Sequence, residues 1–231
     1  MIPLRDENPS TTIPIVNYVL IGLNILVFAF EWLMGSQMQQ IEFVYQFALI
    51  PADFTDVNGV GLGEISDIFT SMFMHAGLAH IGGNMLYLWI FGDNIEDSMG
   101  SGRYLVFYLF GGVVASVAHI LTNPNSVIPT VGASGAIGAV LGAYLVLFPR
   151  HRVQTLLFFG FFIRFIRVPA VILLGFWFIL QLFNGVASLG GPDIGGTAFW
   201  AHIGGFLAGV VLAKLIAKPK PPEIYTYQRW D

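Results

Sequence analysis

A chain of 231 residues holds one domain or two small ones, and this one is 55% apolar and only 10% charged, where soluble domains carry about 25%. A fold of this size could not hide so much apolar surface, 21 Phe included, from water, so lipid is the solvent for most of it. The net charge of −4 and the lack of a basic patch exclude a nucleic-acid partner, and the absence of Cys excludes disulfides, thiolate nucleophiles and zinc–thiolate sites.

Residues 1–14 carry Arg5, Asp6 and Glu7, and the apolar run after them is too long for the h-region of a signal peptide. They read as a short cytoplasmic tail. A spanning helix needs about 20 mostly apolar residues. Six segments qualify: Ile15–Met34, Ile68–Phe91, Tyr104–Leu121, Val131–Phe148, Val168–Ala187 and Thr197–Ala217. A further apolar stretch, Thr155–Ile166, is too short to span and is expected to be a hairpin or helix lying in the membrane interface. The first outer loop, residues 35–67, carries Glu42, Asp53, Asp56 and Glu64, with enough apolar residues to fold back onto the membrane. Residues 218–231 form a second short tail.

Charge tests this count. With six spans and an inner amino terminus, all ten Lys and Arg fall on one face, from Arg5 and Arg103 through Arg150, Arg152, Arg164 and Arg167 to Lys214, Lys218, Lys220 and Arg229. A seventh span would move the last charges outside, which the positive-inside rule disfavours. The expectation is an all-α integral membrane protein: a six-helix bundle over residues 15–217, both termini cytoplasmic, in a bacterial plasma membrane.

Ionisable or polar residues inside lipid are costly and point to function. Here they are His75, His80, Asn84, His119, Ser134 and His202, with Glu31 at the end of the first span. At 1.5 Å per residue, Ser134 lies a few residues below the outer surface, His202 about 8 Å down and His75 about 10 Å down, with His80 and Asn84 deeper. Polar groups of three spans thus converge on the outer half of the bilayer. Ser134 opens a helix within Gly132-Ala133-Ser134-Gly135, where free backbone N–H groups suit an oxyanion. His202 is the base at matching depth, and Gly138-x-x-x-Gly142 and Gly205-x-x-x-Gly209 let the two helices approach. Each feature also has a plainer reading: a packing Ser, a hydrogen-bonding His, small residues that only pack. His119 lacks an evident partner and reads as structural. Asp193 could orient His202 but belongs to the water interface.

These residues resemble the rhomboid intramembrane serine proteases over nearly the whole chain. The matching patterns are His75-x-x-x-x-His80-x-x-x-Asn84, Gly92-x-x-x-Glu96-x-x-x-Gly100, Gly132-x-Ser134-Gly135 and Ala201-His202-x-x-Gly205-x-x-x-Gly209, in that order. The resemblance implies a Ser134–His202 dyad needing no metal or cofactor, and an oxyanion hole from the Ser134 N–H, His80 and Asn84. It further implies a supporting role for His75, a structural role for Glu96, a substrate gate at the fifth span, and transmembrane proteins as substrates. Two features depart from it. Some members carry a Tyr that packs on the catalytic His where this chain has Gly138, and many carry a Trp-Arg pair in the first outer loop that is absent here. The rival readings are an inactive relative that binds membrane clients, a proton or ion transporter using the buried His residues, and a metalloprotease. The last is disfavoured by the lack of a HExxH spacing.

Overall fold

The computed structural model describes residues 1–55, 60–159, 162–189 and 196–217. Eight α-helices occur among them: α1 (Ile15–Trp32), α2 (Gln37–Phe47), α3 (Leu62–Thr70), α4 (Leu78–Met99), α5 (Ser101–Thr122), α6 (Ser134–Leu147), α7 (Ala170–Ser188) and α8 (Phe199–Ile216). Four of these, α1, α5, α7 and α8, are long and apolar enough to cross a membrane. Their outward faces carry exposed apolar side chains such as Leu26, Val106, Phe183 and Leu215, a surface suited to lipid rather than water.

The centre of the bundle is α6, in which every residue from Gly135 to Tyr144 is buried. Its Gly- and Ala-rich sequence presents no bulky ridge, so α4, α5, α7 and α8 all pack against it. With 14 residues it is roughly 21 Å long, shorter than the ~30 Å hydrocarbon core. Around it Phe91, Tyr104, Phe107 and Tyr108 are fully enclosed, as is Tyr144 of α6 itself. Tyr104 donates its hydroxyl to Asn17 Oδ1 at 2.8 Å, and Asn17 Nδ2 donates to the Leu88 carbonyl at 3.1 Å, which locks α1 onto α4 and α5.

The structure departs from the sequence expectation in three places. The second segment, expected from Ile68 to Phe91, becomes a helix only at Leu78 and continues to Met99. Residues 71–73 form a 3-10 turn and Met74 is extended, so the chain bends before α4 begins. The polar stretch Asp93–Asp97 stays helical because its groups cap other elements. Glu96 accepts from the backbone N–H groups of Val16 at 3.1 Å and Asn17 at 2.7 Å, and from Ser101 Oγ at 2.6 Å. Asp97 accepts from the Thr11 N–H at 3.0 Å. Glu96 thereby ties the starts of α1 and α5 to the end of α4.

The bundle is also not all-α. Strands β2 (Arg152–Phe159) and β3 (Phe162–Pro169) pair antiparallel as a hairpin, with Leu156 opposite Phe165. Of the hairpin and helix alternatives, the hairpin is the one that forms. Third, the amino terminus is not a free tail: β1 (Ile2–Asp6) pairs antiparallel with β2, Ile2 opposite Leu156, giving the sheet order β1-β2-β3. Alternation explains the sheet: Val153 and Thr155 are completely buried while Arg152, Gln154 and Phe158 on the other face are exposed. Residues 37–70 hold α2, a 3-10 turn and α3, and an isolated bridge ties Leu49 to Thr130. Asp56 and residues 218–231 lie outside the described residues.

Asp6 fastens β1 to the bundle. Its Oδ2 accepts from Tyr144 Oη at 2.7 Å and Asn94 Nδ2 at 2.8 Å. Burial, aided by the nearby Asp93, pushes its carboxyl up to about 6, against the opposing pull of the Tyr144 hydrogen bond and Arg5. A raised carboxyl favours the protonated form of the docked strand. Docking is therefore strongest below the free-carboxyl range and weakens as pH rises through about 6. Amide hydrogen exchange over residues 2–7 should show Asp6→Asn better protected than the parent at about pH 8 and equal to it near pH 4. Equal protection at both would remove Asp6 as the source.

Candidate active site

Ser134 is the first residue of α6, directly after a glycine turn. Gly132 has φ +131°, a region L side chains rarely adopt, and its N–H donates to the Ser71 carbonyl at 2.9 Å. A Cβ at Gly132 would lie 2.7 Å from His80 Nε2, so a side chain there would fill the space beside that ring. The turn delivers Ser134 to the helix amino terminus with its Oγ facing α8. Unpaired backbone N–H groups and the positive dipole end are gathered at the same point.

His202, in the first turn of α8, completes the contact: its Nε2 lies 2.8 Å from Ser134 Oγ. The glycine seam makes this distance possible. A Cβ at Gly205 would collide with the Gly135 carbonyl oxygen, one at Gly209 with the Ala139 carbonyl oxygen, and one at Gly142 with the Phe206 carbonyl oxygen. Backbone meets backbone along the seam, with no side chain between the helices.

Gly138 belongs to the same seam. A Cβ there would stand 2.9 Å from the His202 carbonyl oxygen and 3.3 Å from the Phe206 nitrogen, so no Tyr fits at this position. The ring is held from α7 instead. His202 Nδ1 lies 2.8 Å from Gln181 Oε1, and the Trp177 ring packs over the imidazole at a centroid distance of 5.8 Å and an angle of 30°. Neither residue was among the sequence candidates. The signal that could have found Gln181 is its amide in a predominantly apolar span, a polar group in lipid like Asn84.

His80 and Asn84 sit one turn apart on α4 and line the same cavity as Ser134 and His202. This cavity, of about 870 Å³, is open on one side and also reaches His119 and Gly132. Asn84 is buried, with its Nδ2 2.9 Å from His75 Nε2, and the His75 and His80 rings meet edge to face at 5.0 Å. The His75 backbone N–H reaches Glu31 Oε2 at 3.4 Å, which links this segment to the end of α1. His75 thus contacts the site through Asn84 and His80. His119 does have partners: its Nε2 is 3.0 Å from Thr130 Oγ1 and its Nδ1 3.3 Å from Asn123 Nδ2. Those contacts brace the loop that leads into Gly132. Asp193 lies outside the described residues.

Comparison with known proteins points the same way as these motifs. Residues 62–219 match the family model described as the rhomboid domain. The chain is 31% identical to the rhomboid protease GluP of Bacillus subtilis over 199 residues, which is 86% of this chain and 35% of that protein. It is 27% identical to the mitochondrial rhomboid protein 1 of Saccharomyces cerevisiae over 227 residues, 92% of this chain and 58% of that protein. The putative rhomboid protease YdcA of Bacillus subtilis is 30% identical over 148 residues, covering 62% of this chain and 69% of that protein. The chain therefore spans about a third of the first relative and somewhat over half of the second.

Proposed function

The chain belongs to the rhomboid family, and from that premise we propose that it is a serine endopeptidase of the membrane, hydrolysing peptide bonds in transmembrane segments of other proteins. The observation that carries the reading is the 2.8 Å contact between Ser134 Oγ and His202 Nε2 in a cavity shared with His80 and Asn84. His202 Nε2 takes the hydroxyl proton as Oγ attacks the scissile carbonyl carbon. The resulting oxyanion is held by the Ser134 N–H and by the side chains of His80 and Asn84, donors fixed before the charge develops. The intermediate then collapses, the C–N bond breaks, and His202 returns the proton to the leaving amine. Water, deprotonated by the same Nε2, hydrolyses the ester left on Ser134. Every proton stays between Ser134, His202, water and substrate, so no metal or cofactor is required.

In this reading α1 and α4 to α8 are the six spans, and the distribution of Lys and Arg supports cytoplasmic termini. The three-stranded sheet then lies at the cytoplasmic interface, opposite the dyad. Relatives occur in bacteria and mitochondria, and the plasma membrane of a bacterium is the location we propose.

The test is proteolysis in liposomes, using a labelled single-span substrate with small, helix-breaking residues. The parent protein should cut it and react with a fluorophosphonate probe, and Ser134→Ala should do neither. Equal cutting by both would falsify the assignment of the nucleophile. A parent that neither cuts nor reacts with the probe would favour a client-binding role.

A further inference from the structure

We propose that Gln181 is the positioning residue of the dyad: its side-chain carbonyl accepts the Nδ1–H of His202, fixes that tautomer, and leaves Nε2 bare toward Ser134. This rests on the serine-protease reading above and deepens it by naming what orients the base.

The argument starts from donor and acceptor roles. An amide oxygen only accepts, so the 2.8 Å contact between Gln181 Oε1 and His202 Nδ1 requires the proton on Nδ1. A neutral imidazole carries one N–H, so Nε2 then presents a lone pair, and Ser134 Oγ at 2.8 Å can donate into it. With the amide reversed, its NH2 would donate to Nδ1 and the ring proton would move to Nε2. Ser134 would then face a donor and could not give up its proton. Only one orientation of Gln181 makes His202 a base.

The surroundings leave this role to α7. On the α6 side Gly138 sits against the His202 carbonyl oxygen, with no room for a side chain to hold the ring. Gln181 is buried in an apolar helix, where an amide is costly unless its hydrogen bonds are made. Trp177, one turn earlier on the same face, covers the imidazole. One helix thus fixes the ring twice, by a hydrogen bond in its plane and a surface over its face. A neutral amide adds no negative charge beside an imidazolium, so Gln181 sets geometry and tautomer and leaves charge stabilisation to other groups. Any displacement of α7 away from α8 would release the ring.

The experiment compares the full chain in liposomes with Gln181→Leu, which removes the acceptor at similar volume, and Gln181→Glu, which keeps it. Gln181→Leu should lower kcat about 10²-fold with little change in KM, and Gln181→Glu should recover most of that loss. Nitrogen NMR of histidine-labelled protein, with the His202 signals assigned by their absence in His202→Ala, reads the tautomer directly. The expected result is a single Nδ1–H form in the parent and a mixture in Gln181→Leu. A parent-like kcat in Gln181→Leu, an Nε2–H form in the parent, or an unchanged tautomer in the variant would overturn the proposal. If Gln181→Leu loses its fold by thermal denaturation, the parent spectrum and the Gln181→Glu rate decide. A chain that cleaves no substrate at all defeats the protease reading, while the tautomer comparison still tests Gln181.

Discussion

Replacing His202 by Ala lowers kcat about 10⁴-fold, and adding Ser134→Ala to that variant lowers it no further. The non-additivity follows from the geometry. Ser134 has no other base within reach among its described hydrogen bonds, and His202 Nε2 has no other hydroxyl, so removing either partner abolishes the same step. The oxyanion donors act on the charge that develops on the carbonyl oxygen and should behave differently. Asn84→Ala and His80→Ala are each expected to cost about 10²- to 10³-fold in kcat, with KM nearly unchanged, because they hold an oxygen that is negative only in the transition state. Single-turnover cleavage in liposomes separates these cases. If the losses for Ser134→Ala and His202→Ala multiplied in the double variant, the two side chains would be acting in independent steps and the dyad would be refuted.

The parts of this molecule that were legible in the sequence are those where chemistry is local. Apolar runs marked α1, α5, α7 and α8 closely, since each exposes much of its length to lipid and must be apolar there. Matching depth paired Ser134 with His202, the rhomboid resemblance added His80 and Asn84, and the structure gathers all four around one cavity. What was missed depended on distant partners. The polar carboxyl end of α4 holds Glu96, which caps a helix 79 residues away, a contact that no window of hydropathy registers. The pairing of β1 with β2 joins Ile2 to Leu156, so neither segment reveals the other. The hairpin itself alternates buried Val153 and Thr155 with exposed neighbours, a period-2 signal masked by the apolar residues on its outer face. Gln181 belongs to no motif and its partner His202 lies 21 residues away on another helix, so the sequence does not join them. Gly138 pointed to a missing orienter, but only the three-dimensional packing says which helix supplies it.

Gly205→Ala should cost both stability and rate. The added methyl would meet the Gly135 carbonyl oxygen, and backbone cannot rotate out of the way as a side chain can. Helices α6 and α8 must separate, at a cost of roughly 1–3 kcal/mol for overpacking. The dyad spans that same interface: Ser134 precedes Gly135 by one residue and His202 precedes Gly205 by one helical turn. Most of the separation is therefore passed to the 2.8 Å contact between Oγ and Nε2. A shift of about 1 Å in a proton-transfer pair costs on the order of 10²-fold in kcat. Gly175→Ala is the matched control, since a Cβ there meets nothing within 4 Å. Alanine also favours the helical backbone, so that variant should keep the parental kcat and melt no earlier. Measuring kcat and thermal stability for both variants separates the seam from a general intolerance of methyl groups. If Gly205→Ala kept the parental rate, the close approach of α6 and α8 would not be what sets the distance between nucleophile and base.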